Sequence, residues 1–381
     1  MSDLALSEDQ EAARAAVMAA LATGQQVVTM VGPAGSGKTT MMFAVLEGVE
    51  ALGRETVLVC PTGKAASVLR DKTEMHATTI HKALYGGVDE DGAELVFSSP
   101  HPPCGAGGLV VCDEASMVGK PLHDDLVGQL PKDAQLLYVG DREQLPPVNQ
   151  PWGPNFDAPD AALTEVHRQA QDSPILSLAT AIRTGQAWSG WGEDCVRERG
   201  DPVAWLVERA EQDATLLAYT NKTRQAMNHG VRAALGRDGA LVVGDRVVCL
   251  LNSDGLGIMN GEVDTVVEVR QNKRSSKRYK ARVVSVEFAS GIKARVNLDL
   301  LGGKVSDFKM WARRVDNDDD LIHIDYGYCL TVHKSQGSEW DEVGFIADGG
   351  FQWLKSKDPS EARRLAYTAV TRASKRLRIF S

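Results

Sequence analysis

The sequence predicts an α/β protein of two parallel-sheet domains, and three observations carry that prediction. The apolar run Val27 to Val31 passes through Gly32-Pro33-Ala34-Gly35-Ser36-Gly37-Lys38-Thr39-Thr40 into a helix-like stretch, which fits G-x-x-x-x-G-K-[ST]. A second apolar run, Leu109 to Cys112, ends in the acid pair Asp113-Glu114. Strand and helix patterns start afresh near Thr215, give way between about 252 and 321 to short alternating runs that suggest an inserted β-barrel, and resume at Tyr326. Strand–helix–strand order implies parallel pairing with right-handed crossovers.

Composition bounds this reading. At 381 residues and 43% hydrophobic content the chain is long and apolar enough for two cores. A net charge of −9 excludes a protein that is basic all over, so a nucleic-acid contact would need a local groove. Cys60, Cys104, Cys112, Cys195, Cys249 and Cys329 form no C-x-x-C pair and read as reduced core thiols, with neither disulfides nor a zinc site. The N-terminus lacks a basic stretch followed by an apolar block, and no apolar run has the length of a membrane span. A soluble cytoplasmic protein without a membrane partner is expected.

In chain order, Ser7 stands three residues before Gln10, a capping-box spacing, and opens an Ala-rich helix to about residue 22. In the glycine loop the backbone turns tightly enough for its N–H groups to face a triphosphate, with the positive end of the next helix behind them. Lys38 would bridge the terminal phosphates and Thr39 would ligate Mg²⁺. A helix over Met41 to Leu52 and a strand over Glu55 to Cys60 lead to Pro61-Thr62-Gly63-Lys64, where residues at the carboxyl end of a parallel strand face the ligand crevice. Thr78-Thr79-Ile80-His81-Lys82 precedes an insertion at 85–108, rich in Gly, Pro and Asp, with Glu94 to Phe97 as a short strand. Asp113 suits Mg²⁺ and Glu114 the activation of water. The strand Gln135 to Val139 ends at Gly140-Asp141, with Gln144 placed to sense a γ-phosphate.

The second half begins with Leu163 to Gln169, which contains Arg168, then a helix from Pro174 to Thr184. Ala187 to Asp201 reads as a loop in which Trp188 and Trp191 are packing anchors. Strand Thr215 to Thr220, helix Asn221 to Leu235 and strand Arg246 to Leu251 follow, then barrel strands at Glu262 to Val269, Ala281 to Phe288 and Lys293 to Leu298. Arg270 to Arg282 holds seven Lys or Arg in thirteen residues and reads as a solvated hairpin tip or as a contact for phosphates.

These motifs in this order resemble the superfamily 1 helicases, most closely the RecD/Dda-type branch that moves 5′ to 3′ on single-stranded DNA. The resemblance rests on the phosphate loop, Thr79-Ile80-His81, Asp113-Glu114-Ala115-Ser116, Gly140-Asp141 with Gln144-Leu145-Pro146-Pro147, His167-Arg168-Gln169, Thr331 to Glu339 and Tyr367 to Ala373. It implies two RecA-like domains, the first over 1–84 and 109–160 and the second over 161–251 and 322–381. A strand-separating pin would occupy 85–108 and an SH3-like barrel 252–321. It further implies ATP and Mg²⁺, held by Gln10, Gly32, Gly35, Ser36, Gly37, Lys38, Thr39, Thr40, Asp113 and Glu339, with Glu114, Gln144, Arg168 and Arg372 completing the catalytic set. Pro61, Thr62, Lys64, Thr79, His81, His333, Lys334 and Ser335 would line a DNA track, and Phe97 would be a pin residue. The implied partners are single-stranded DNA, duplex junctions and proteins of replication or repair, and the implied working form is a monomer.

Rival readings stay open at this level. A nucleotide kinase or GTPase explains the loop and Asp113 but not Gln144, Arg168, His333 and Arg372 in that order. A DNA-binding module without catalysis leaves Lys38, Asp113 and Glu114 unexplained. A single-strand translocase with weak unwinding, or an RNA-directed enzyme of the same superfamily, shares every motif.

Overall fold

The computed structural model describes residues 6–88, 94–96, 100–148, 150–166, 173–315 and 320–381. They form two compact units, Met1–Gly190 with Ser360–Thr371, and Trp191–Pro359 with Arg372–Ser381. Among the described residues no helix is long and apolar enough to cross a membrane.

The first unit contains helix α1 (Glu8–Ala22), strand β1 (Val27–Val31), α2 (Lys38–Glu50), β2 (Thr56–Cys60), α3 (Gly63–Thr73), β3 (Ala77–Thr79), α4 (Ile80–Tyr85), β4 (Gly86–Val88), β5 (Glu94–Val96), β6 (Leu109–Cys112), α5 (Lys120–Gly128), β7 (Gln135–Gly140), β8 (Ala161–Ala162) and α6 (Pro174–Thr184). Six strands make one parallel sheet in the order β3-β2-β6-β7-β1-β8. Its strands are apolar almost throughout because both faces are covered. Along β7 the side chains alternate: Leu137 and Val139 join Val17, Val45 and Leu69 from α1, α2 and α3, while Leu136 and Tyr138 join Ile80, Leu84 and Leu126 from α4 and α5.

Helix α1 begins at the capping box read from the sequence. Gln10 N–H donates to Ser7 Oγ at 3.2 Å, and Ser7 N–H donates to Gln10 Oε1 at 3.1 Å. β4 and β5 pair as an antiparallel two-stranded ribbon inside the insertion; Phe97 lies outside the described residues.

The second unit contains β9 (Cys195–Glu198), α7 (Pro202–Val207), β10 (Ala214–Ala218), α8 (Asn221–Ala234), β11 (Arg246–Cys249), β12 (Val263–Gln271), α9 (Lys273–Tyr279), β13 (Val283–Phe288), β14 (Lys293–Asn297), α10 (Val305–Arg314), β15 (Leu321–Ile322), β16 (Ile324–Tyr326), β17 (Cys329–Thr331), β18 (Trp340–Ile346), α11 (Gly349–Lys357) and β19 (Ala373–Phe380). α12 (Pro359–Val370) starts there, and from Ser360 it belongs to the first unit. A parallel sheet in the order β17-β10-β18-β19-β9 carries one core. A six-stranded sheet, β15-β14-β13-β12-β11-β16, carries another.

Several expectations change here. The stretch 187–201 holds a strand: β9 pairs in parallel with β19, Leu377 opposite Cys195, and so extends the open edge of the sheet. Only two apolar residues, Cys195 and Val196, mark it, too few to show a period. Trp191 is 42% exposed and is no anchor, whereas Trp188 is half-buried and donates its indole N–H to Ser177 Oγ at 3.1 Å. The second β-sheet takes in a strand on each side of 252–321, since β11 pairs with both β12 and β16. The basic stretch after β12 forms a short helix, α9, in place of a bare hairpin tip. Tyr279 pins it edge-on against Trp311 with ring centroids 5.9 Å apart, and Lys273, Arg274 and Lys277 stay exposed.

Buried polar ties hold the second unit's strands. Asn228 imitates a neighbouring strand for the edge of β17, donating to Cys329 O at 3.0 Å and accepting from Tyr328 N and Cys329 N at 2.9 Å each. Arg232 forks onto Asp245 at 2.9 and 3.0 Å. All six cysteines are free and buried, and burial raises the Cys112 thiol well above its ordinary value.

Candidate functional site

Because the first sheet is parallel, the carboxyl ends of its strands share one edge, the edge at which α/β proteins bind ligands. The loop 32–37 follows β1, Pro61 to Lys64 follow β2, Thr79 ends β3 with His81 in the first turn of α4, Asp113 and Glu114 follow β6, and Asp141 to Gln144 follow β7.

The phosphate loop is braced from inside. Gly37, the N-cap of α2, has φ 79°, a left-handed conformation that glycine adopts without a Cβ penalty, and among the described residues no side-chain cap bond is made there. Those amides and the helix dipole are available to an anion. A Cβ on Gly32 would fall 2.5 Å from Ser36 Oγ, which is itself buried and donates to Pro33 O at 2.9 Å. Lys38 Nζ curls back to donate to Gly32 O at 2.8 Å and Pro33 O at 3.0 Å. Gln10, 2% exposed, extends its amide to within 3.5 Å of Ser36 O, which puts it at the loop. Gly35, at φ 77°, is exposed, and Thr39 and Thr40 are half-buried in the first turn of α2.

Asp113 accepts the Glu114 N–H at 2.8 Å. Burial, and then the charge of Glu114, push its carboxyl above the usual carboxylate range, against the opposing pull of the Glu114 N–H bond and of Lys38. Glu114 has φ 52°, which for a residue with a Cβ costs on the order of 1 kcal/mol. The turn Ala115–Met117 maintains that conformation, because Ala115 and Ser116 are fully buried. Ser116 Oγ donates to Asp141 O at 2.8 Å and accepts Asp141 N–H at 2.7 Å, clasping the ends of β6 and β7 together.

Asp141, 1% exposed, lies 4.0 Å from Lys38 Nζ, and burial raises its carboxyl while Lys38 and a hydrogen bond from Tyr367 pull it down. Gln144 is 3% exposed, and its Oε1 has no hydrogen-bond partner among the described residues. A buried acceptor without a donor costs about 1–3 kcal/mol, which a ligand or a water removes on binding. From α12, Tyr367 and Thr368 reach Asp141 and Leu145 N respectively. Asp141, Ser116 and Tyr367 stood inside the quoted motifs without assigned roles. An acid just past a parallel strand, as at Asp113, was the available signal for Asp141; a tyrosine on an apolar helix face gives none.

Along the same edge, Thr62 caps α3 by accepting Ala65 N–H at 3.2 Å, and Thr79 caps α4 by accepting Lys82 N–H at 3.0 Å. Pro61 and Lys64 are half-buried, and His81 is exposed beside Tyr85, with ring centroids 6.3 Å apart.

In the second unit Thr331 ends β17 and caps the turn Val332–Ser335, accepting Lys334 N–H at 3.3 Å. His333 is half-buried, and burial lowers its imidazole below the ordinary value; Lys334 is exposed. Ser335 is fully buried and donates its hydroxyl to Val332 O at 2.8 Å. Arg372 is buried and donates to Ser338 O at 3.1 Å, one residue from the exposed Glu339. Arg168 lies outside the described residues.

A parallel sheet with a phosphate loop and a strand-end acid pair on its carboxyl edge defines a phosphate-loop nucleotide-binding protein. Residues 5–195 match the AAA domain family, and residues 326–380 match the UvrD-like helicase C-terminal domain family. The sequence is 32% identical to the ATP-dependent RecD2 DNA helicase of Deinococcus radiodurans, over 97% of this chain and 48% of that protein. It is 27% identical to the ATP-dependent DNA helicase dda of Enterobacteria phage T4, over 64% of this chain and 60% of that one. The crystal structure of Bacteroides Pif1 bound to single-stranded DNA has a like fold, with a TM-score of 0.57 and 18% identity over 100% of this chain and 93% of that one. The chain spans about half the length of the curated relatives it matches. It belongs to the superfamily 1 helicases, in the branch that holds RecD.

Proposed function

We propose that the chain is an ATP-driven motor that moves 5′ to 3′ along single-stranded DNA and separates duplex at a junction. The observation that carries this reading is the convergence of Lys38, Asp113, Asp141 and Gln144 at the carboxyl edge of one parallel sheet, with Gln144 Oε1 buried and without a hydrogen-bond partner among the described residues. In this reading Gln10 reads the adenine, Glu339 the sugar, and Gly32, Gly35, Ser36, Gly37 and Thr40 shape the cradle. Thr39 and Asp113 present the hard oxygens that suit Mg²⁺, which when bound supplies positive charge to the phosphate oxygens. Lys38 neutralises the terminal phosphates, Glu114 takes a proton from the attacking water, and Gln144 senses the γ-phosphate. Arg168 and Arg372 add cationic charge from the second of two RecA-like domains, so that hydrolysis depends on closure.

The track for the strand runs through Pro61, Thr62, Lys64, Thr79 and His81 in one domain and His333, Lys334 and Ser335 in the other. The Ser335 hydroxyl already donates to Val332 O, whereas the Thr62 and Thr79 hydroxyls only accept their helix-capping N–H groups and keep a proton to donate to a phosphate oxygen. The ribbon of β4 and β5, which Phe97 follows in the sequence, serves as the pin, and the sheet from β11 to β16 is the SH3-like insertion. The motor works as a monomer in the cytoplasm, alongside proteins of replication or repair.

Steady-state hydrolysis tests the reading. ATP turnover is expected to rise at least about tenfold on addition of oligo-dT and less on addition of oligo-U, because the strand completes the closed state. Turnover indifferent to both polymers, or raised by oligo-U alone, rejects a DNA motor.

A further inference from the structure

The hydroxyl of Tyr367 joins two parts of the phosphate cradle. Its ring is buried, and the oxygen accepts the N–H of Ala34 at 2.7 Å while donating to Asp141 Oδ2, also at 2.7 Å. Ala34 belongs to the glycine loop. Asp141 caps β7, the neighbour of β1 in register Val31 to Gly140, and lies 4.0 Å from Lys38 Nζ. One buried carboxylate is thus shared by a phenol and by the lysine that must leave for the phosphates. The next residue, Thr368, is also buried and accepts Leu145 N–H at 3.1 Å, beside Gln144. Arg183 adds a positive charge near the phenol. Two successive hydroxyls of α12 therefore hold the two loops that flank the phosphate position, and Thr371, the last residue of this segment in the first unit, directly precedes Arg372.

We propose that Tyr367 is a positioning residue that reports occupancy of the phosphate loop to α12. A triphosphate acts on its two hydrogen bonds in opposite directions. Phosphate oxygens are stronger acceptors than a phenol, so they take the N–H of Ala34 from Tyr367. They also draw Lys38 off Gly32 O and Pro33 O, away from Asp141. The buried carboxylate then depends more on the Tyr367 O–H, and that bond tightens. The phenol exchanges a bridge between loop and strand end for a single strong bond to the strand end, and α12 shifts its seating with it.

The inference rests on the ATP-driven reading above and deepens it. Tyr367→Phe keeps the ring and removes both bonds. DNA-stimulated kcat is expected to fall about tenfold, the scale of one lost hydrogen bond to a charged group. Affinity for ATP should be unchanged or a few-fold tighter, because the loop no longer has to surrender a partner. A residue that only supported the fold would weaken binding and turnover together and lower the melting temperature. In the parental protein, hydrogen exchange across 359–371 is expected to slow when a non-hydrolysable ATP analogue binds without DNA, and in Tyr367→Phe it should not respond. Parental kcat in Tyr367→Phe, a parallel loss of binding and turnover, or parental exchange that ignores the analogue each overturns the proposal. Absence of any ATP hydrolysis by the parental chain would count against the motor reading instead, which keeps the two failures apart.

Discussion

The Glu114→Gln protein is expected to bind ATP about as tightly as the parental chain and to hydrolyse it at least about a hundredfold more slowly, the usual scale for a lost general base. The side chain sits on a backbone held at φ 52° by the buried turn that follows, so its direction is set by packing before any nucleotide arrives. Glutamine has the same shape and can still hold a water, but it cannot accept the proton as the water attacks. Asp113 cannot stand in, because its carboxylate already accepts the Glu114 N–H and the proposed role commits it to the metal. Nucleotide titration beside single-turnover hydrolysis separates binding from chemistry. Hydrolysis at the parental rate would remove Glu114 from the catalytic set.

Lys38→Ala should have a larger effect on kcat/KM, because it acts on both binding and chemistry. Without nucleotide the ammonium is held by Gly32 O and Pro33 O, two carbonyls of the loop that encloses the phosphates. It therefore has only a short distance to travel. Losing a hydrogen bond to a charged group costs about 1.5–3 kcal/mol of binding, roughly ten- to a hundredfold in affinity. Losing a fixed cation where charge develops costs on the order of 10²–10³ in turnover. Together kcat/KM should drop by about a thousandfold or more, with ATP affinity lowered as well. The two variants thus separate by binding: Glu114→Gln retains ATP and Lys38→Ala does not. Equal ATP affinity in Lys38→Ala and the parental chain would mean that the lysine serves only the loop's own carbonyls.

The legible part of this protein was the part written in short, local patterns. The glycine loop, the acid pair after β6 and the capping box at Ser7 each depend on a few consecutive residues, and the structure places all three at the elements expected. What escaped depends on partners distant in sequence. β9 has two apolar residues to announce it and exists because β19 offers an open edge 180 residues later. Helix α9 read as a charged tip or a phosphate contact, since what holds it, Tyr279 edge-on to Trp311 and bonded to Arg295, comes from other elements. Ser335 looked free to touch a ligand, yet its hydroxyl is turned onto Val332 O. Tyr367 escaped for the same reason: its two partners are 333 and 226 residues away, and only the folded chain brings them to one oxygen.

Direction of movement is the most direct measure of the central claim. Duplexes with a single-stranded tail on the 5′ side or on the 3′ side are mixed with the protein and ATP, and strand release is followed in single turnover. The motor proposed here releases the strand from the 5′-tailed duplex and leaves the 3′-tailed one largely paired, with no release from either when Lys38→Ala replaces the parental chain. Preferential release from the 3′-tailed duplex, or release that persists in Lys38→Ala, would contradict it.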